Sequence, residues 1–109
     1  MKDYTSQTLA TLLESTDKPV LIDFFAPWCG PCRLQAPVLE DFASEHSGAV
    51  VVGKVDVDAN QHLAAQYNIF SIPTLILFKN GREKQRLVGL QDKKNLKTAV
   101  LSAAGEGQQ

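Results

Sequence analysis

Cys29 and Cys32, in the run Trp28-Cys29-Gly30-Pro31-Cys32, are the only thiols in the chain. No disulfide framework is possible, so the pair itself is the candidate for chemistry. The continuous apolar run at 20–25 precedes it and a helix-periodic stretch begins at Pro31, which sets the pair on a strand-to-helix turn. Cys29 then stands at or just before the first helical turn. Unpaired backbone N–H groups and the positive end of the helix dipole favour a thiolate there, making Cys29 the candidate nucleophile. Cys32 lies one turn further on the same face, within reach of a disulfide with Cys29 but further from solvent, and suits a resolving role. Gly30 permits close approach of another backbone, and Pro31 is tolerated because the first turn has no internal partner for its nitrogen. Half a zinc site would need two more ligands, and His46 and His62 lack the spacing of a zinc finger. Inert buried thiols fit poorly with Gly-Pro on such a turn, which predicts a pair at the surface.

The elements that must position this pair are legible from periodicity. Leu9, Leu12 and Leu13 recur at helical spacing after Thr5 and Ser6, either of which can cap a helix over 6–16. The run at 20–25 is apolar without alternation, the pattern of a central strand covered on both faces. From Pro31 to about Glu45, Leu34, Val38, Leu39 and Phe42 predict the apolar stripe of a second helix. Arg33, Gln35, Glu40, Asp41 and Glu45 predict its polar side, with a kink at Pro37. A second buried strand is expected at 50–57, rich in valine. Asp58, with Gln61 three residues on, resembles a capping box for a short helix carrying Leu63, Ala64 and Tyr67. Asn80-Gly81 between strand-like runs at 74–78 and 83–88 predicts a hairpin. A last helix carries Leu96, Ala99, Val100 and Ala103 inward and Lys93, Lys94 and Lys97 outward, before a polar tail at 105–109. This order predicts one α/β domain over 1–109, with helices on both faces of a single sheet.

Composition narrows the function further. A chain of 109 residues has the size of one domain, and eleven Lys and Arg against twelve Asp and Glu give a net charge of -1. There is no basic surplus to neutralise a phosphate backbone or an anionic membrane, so neither nucleic acid nor membrane is expected as a partner. The longest apolar stretches fall far short of the ~20 residues that cross a bilayer. Met1 to Ser6 lacks the charged-then-apolar build of a signal peptide, so the cytoplasm is the expected location.

The segment from Asp23 to Cys32, together with Pro37, the Lys-Val-Asp-Val-Asp run from Lys54 to Asp58, Ile72-Pro73-Thr74, Gly81 and Gly89, resembles the thioredoxin family. The likeness holds in order and spacing over nearly the whole chain. It implies the thioredoxin fold, a central mixed sheet of four strands plus a truncated N-terminal edge strand, flanked by about four helices. It also implies a thiol-disulfide oxidoreductase that reduces protein disulfides. No cofactor would be bound beyond the redox-active Cys29–Cys32 dithiol or disulfide. The implied partners are disulfide-containing target proteins and a thioredoxin reductase as electron donor, and the implied state is a monomer. A disulfide oxidase or isomerase, or a non-catalytic binding subunit, is the alternative on the same fold.

Residue roles follow from the same resemblance. Asp23 interrupts the apolar run and is expected to be buried; the family assigns its match to accepting and returning the proton of Cys32. Lys54 matches a lysine near that acid. Ile72-Pro73 matches a cis peptide beside the cysteines. Trp28, Gly30, Pro31, Val57, Ile72, Pro73 and Gly89 match a shallow groove for extended substrate backbone. Three positions depart from the pattern. Phe25 stands where many members carry a second tryptophan, Met1 to Tyr4 is a short lead-in, and Phe70 is more apolar than the residue common there.

Overall fold

The apolar run at 20–25 forms β2 (Val20–Phe25), the middle strand of a five-stranded sheet. The structure is a computed structural model and describes residues 1–106. Alternation along β2 sends Val20, Ile22 and Phe24 to one face and Leu21 and Asp23 to the other. Both faces are covered, which is why the run shows no alternation of polarity. On the first face α1 (Ser6–Ser15) and α3 (Gln61–Gln66) bring Leu9 and Leu63 against Ile22, Phe24 and Ile76. On the second, α2 (Gly30–Glu45) and α4 (Lys93–Glu106) bring Leu39, Phe42, Leu96 and Ala99 against Leu21, Leu75 and Leu77.

β3 (Val51–Asp56) pairs parallel to β2, with α2 as the crossover between them, and β4 (Thr74–Lys79) and β5 (Arg82–Val88) run antiparallel on the other side. The two-residue turn Asn80-Gly81 has φ of 54 and 78, the left-handed geometry that the Asn-Gly pair tolerates. The opposite edge is β1 (Lys2–Asp3), which pairs parallel to β3, so the short lead-in still makes an edge strand. Its packing requires Gly53, because a Cβ there would stand 2.7 Å from Tyr4 Cδ2. The sheet order is β1-β3-β2-β4-β5.

Several local expectations are corrected. The buried residues of α2 are Cys32, Gln35, Leu39 and Phe42. Leu34 is 63% exposed and Gln35 is 0% exposed, the reverse of what their polarity predicts. At about 100° per residue, the stripe set by Leu39 and Phe42 passes through 35 and 32 and misses 34. Asp58 does not cap α3, whose N-cap is Asn60 with no side-chain hydrogen bond. Thr5, one of the two caps the sequence offered, does cap α1, in a reciprocal box with Thr8. Pro37 lies inside α2, as its place in the expected second helix requires. α4 runs to Glu106, into the expected tail, and 107–109 lie outside the described residues.

Candidate active site

β2 ends at Phe25, and the chain turns through Ala26, whose carbonyl accepts the Cys29 N–H at 3.1 Å. Cys29 is the N-cap of α2, with φ -82 and ψ 118, and the Cys32 N–H donates to its Sγ at 3.3 Å. A sulfur thus occupies the place where a Ser or Asp oxygen ordinarily caps a helix. Negative charge is favoured there by the free amides and the helix dipole. Cys29 and Cys32 are joined as a disulfide with Cα atoms 5.2 Å apart. The expectation of a surface pair is corrected, since Cys29 is 5% and Cys32 3% exposed. Phe25, Ala26, Val57 and Ile72 pack around the sulfurs. Exposure therefore does not distinguish the two thiols, whereas the helix cap does. The Ile72 carbonyl oxygen lies 3.8 Å from Cys29 Sγ.

Asp23 is buried, at 2% exposure, and its Oδ1 has no hydrogen-bond partner among the described residues. A buried aliphatic side chain contributes about 2 kcal/mol, while an unpaired carboxylate in the same place costs at least as much. Stability gives no reason for an acid here. Burial pushes the Asp23 carboxyl up to about 7, and the charge of Lys54 opposes that rise. Lys54 is the register partner of Asp23 on β3, and its Nζ lies 5.2 Å from the centre of the Phe25 ring. Asp23, Lys54, Phe25 and Cys32 share the lining of a cavity of about 190 Å³.

Trp28 is 68% exposed, and its Nε1–H donates to Asp58 Oδ2 at 2.8 Å. Polarity patterning missed this bond, and the only sequence signal for it is an acid left over once α3 finds no use for it. Gly30 and Pro31 are exposed, Val57, Ile72 and Gly89 half-buried, and Pro73 buried after a cis peptide bond with Ile72. Gly89, at φ +87, donates its N–H to the Pro73 carbonyl at 2.9 Å, a conformation that favours glycine. Trp28, Val57, Ile72 and Phe70 line a groove of about 430 Å³, with Phe70 92% exposed at its rim. His46 stacks on Phe42 at 4.4 Å between ring centres, and His62 is exposed on α3. No three His, Cys, Asp or Glu side chains gather to hold an ion among the described residues. Gln35 was also missed, since its amide chemistry marks it for the surface.

Residues 1–102 match the thioredoxin family. The thioredoxin of Alicyclobacillus acidocaldarius subsp. acidocaldarius is 57% identical over 84 residues, which is 77% of this chain and 80% of that protein. A bifunctional thioredoxin reductase/thioredoxin of Mycobacterium leprae is 51% identical over 79 residues, 72% of this chain but 17% of the longer protein. The crystal structure of chloroplastic thioredoxin z superposes with a TM-score of 0.89 at 32% identity, covering 96% of this chain and 95% of that one.

Proposed function

The chain belongs to the thioredoxin family, and on that premise we propose that Cys29 is the attacking thiol and Cys32 the resolving thiol of its disulfide exchange. The protein is a thiol-disulfide oxidoreductase that reduces protein disulfides through the Cys29–Cys32 pair. The observation that carries the assignment is the helix cap, the Cys32 N–H donating to Cys29 Sγ at 3.3 Å. In the reduced protein the Cys29 thiolate attacks one sulfur of the target, forming a mixed disulfide and releasing the other target sulfur as a thiolate, which takes up a proton. Cys32 then gives up its proton and attacks Cys29 Sγ. The mixed disulfide breaks, the second target thiol leaves, and two electrons have passed from the dithiol to the target.

Asp23 is the group proposed to take the Cys32 proton. A carboxyl at about 7 is matched to exchange near neutral pH, and the shared cavity has room for a bridging water. Lys54 biases that carboxyl toward its charged form, and so toward its role as acceptor. The groove of Trp28, Gly30, Pro31, Val57, Ile72, Pro73 and Gly89 is proposed to receive extended target backbone beside Cys29, with Phe70 widening its apolar rim. Electrons reside in the dithiol itself, so no bound cofactor is required. A thioredoxin reductase is the proposed donor, a reading supported by the Mycobacterium leprae protein that joins both activities in one chain. We propose the cytoplasm as the setting and a single-domain monomer as the working form. Bacterial relatives support the former, and no helix among the described residues is long and apolar enough to cross a membrane.

Insulin reduction with dithiothreitol as electron source tests the assignment. Cys29→Ser abolishes turnover, and Cys32→Ser accumulates a mixed disulfide with its target. A Cys29→Ser protein that still forms such adducts through Cys32 reverses the two roles.

A further inference from the structure

Gln35 is fully buried at 0% exposure, yet it makes polar contacts of a single kind, both to one residue far along the chain. Its Oε1 accepts the Gln91 N–H at 2.7 Å, and its Nε2–H donates to the Gln91 carbonyl at 3.0 Å. The Gln91 side chain in turn donates to the carbonyls of Val88 and Gly89, each at 3.2 Å, and accepts from Asn95 Nδ2 at 3.3 Å. Gly89 is held to Pro73 by its own N–H at 2.9 Å. One side chain of the cysteine-bearing helix therefore grips the short segment after β5, whose first residue, Gly89, is hydrogen-bonded to Pro73 beside Ile72 of the groove.

Satisfying the Gln91 backbone accounts for part of this amide's presence and does not exhaust what it does. An apolar side chain of the same size would fill the position at the cost of leaving the Gln91 N–H and carbonyl without these bonds. What an apolar residue cannot do is fix one geometry, because it has no directional contact with Gln91. Gln35 lies one turn beyond Cys32 on α2. Anything it holds is thus held in fixed relation to the disulfide.

We propose that Gln35 is a positioning residue for protein substrates, clamping the 89–91 segment so that Gly89 and Pro73 keep a fixed distance from the cysteines. The role rests on the groove reading given above. It acts on the docking of extended backbone and leaves the reactivity of the sulfurs unchanged. A small disulfide that touches Cys29 alone is indifferent to it, whereas a protein disulfide is not.

Gln35→Met keeps length and volume while removing both hydrogen bonds. Amide exchange at Gly89 and Gln91 is expected to quicken by about tenfold, as loss of a buried bond implies. The KM for insulin disulfides rises about threefold to tenfold with kcat held, and the rate with dithiobis(nitrobenzoate) stays at the wild-type value. Unchanged exchange, or faster exchange with an unchanged insulin KM, overturns the role; so does an equal loss toward insulin and the small disulfide, which marks general damage. Ile72→Ala, measured alongside, separates the two readings. If it raises the insulin KM while Gln35→Met does not, the clamp fails and the groove stands. If neither variant raises it, the groove reading fails as well.

Discussion

Asp23 and Lys54 are register partners on neighbouring parallel strands, and the lysine only partly reverses the rise that burial imposes on the carboxyl, leaving it at about 7. This relationship sets the acid apart from an ordinary ion pair. Had Lys54 fully compensated for burial, Asp23 would stay charged across the neutral range and could not accept a proton there.

Asp23 should therefore lower stability in a pH-dependent way. Its folded value, about 7, exceeds the ordinary 3.8, so the folded state binds the proton more tightly than the unfolded chain. The contribution is full below the unfolded value, declines as pH rises from about 4 through about 7, and is constant above that. Asp23→Ala should gain stability relative to wild type on going from pH 4 to pH 8, by at most about 4 kcal/mol, and slow insulin reduction by at least about tenfold. Chemical denaturation at both pH values checks this. A variant whose relative stability falls toward pH 8, with full activity, contradicts the buried-acid role.

Because both thiols are buried to a similar degree, the helix cap alone should separate their reactivity. A brief iodoacetamide pulse on the reduced protein at pH 7 is expected to label Cys29 at least about tenfold faster than Cys32. Peptide mapping that finds the labels evenly shared removes the cap as the cause.

Trp28 is the sole indole, so its fluorescence has one source, and its Nε1–H is tied to Asp58. Emission should change between oxidised and reduced protein. Asp58→Ala should free the ring and raise the insulin KM by about twofold to fivefold, the worth of one exposed hydrogen bond, while Asp58→Asn keeps an acceptor and most of the affinity. Identical behaviour of the two variants would show that the charge, and not the bond, matters.

Phe70 at 92% exposure contributes almost nothing to the core. Phe70→Ser should leave the unfolding free energy within about 0.5 kcal/mol of wild type and weaken insulin binding through loss of apolar rim. A large stability loss would mean that the ring packs somewhere in solution.

Gly53 has no such freedom. A Cβ at this position meets the Tyr4 ring, so Gly53→Ala should cost about 1–3 kcal/mol and expose the amides that join β1 to β3. Hydrogen exchange at Tyr4, whose N–H donates to the Lys54 carbonyl at 2.8 Å, reads this directly.

The sequence by itself determined the elements, their order and the chemistry. A six-residue, valine- and phenylalanine-bearing apolar run after Pro19 reads as a strand covered on both sides, Asn-Gly between two strand-like runs signals a tight hairpin, and two cysteines flanking Gly-Pro at a helix start point to exchange chemistry. These signals are local, carried by residues whose neighbours in sequence are also their neighbours in space. The tertiary structure decided what depends on partners distant in sequence. Gln35 is buried where Gln91, 56 positions away, offers both its backbone N–H and its carbonyl to the amide. Asp58 stands two residues before Asn60, the N-cap of α3, and accepts the Trp28 Nε1–H from 30 positions away instead. The cysteines are buried because Val57 and Ile72, from two other segments, close over them. Side-chain polarity is a weak guide in each case, since burial follows from where the fold brings a complementary group, and only the packed chain specifies that.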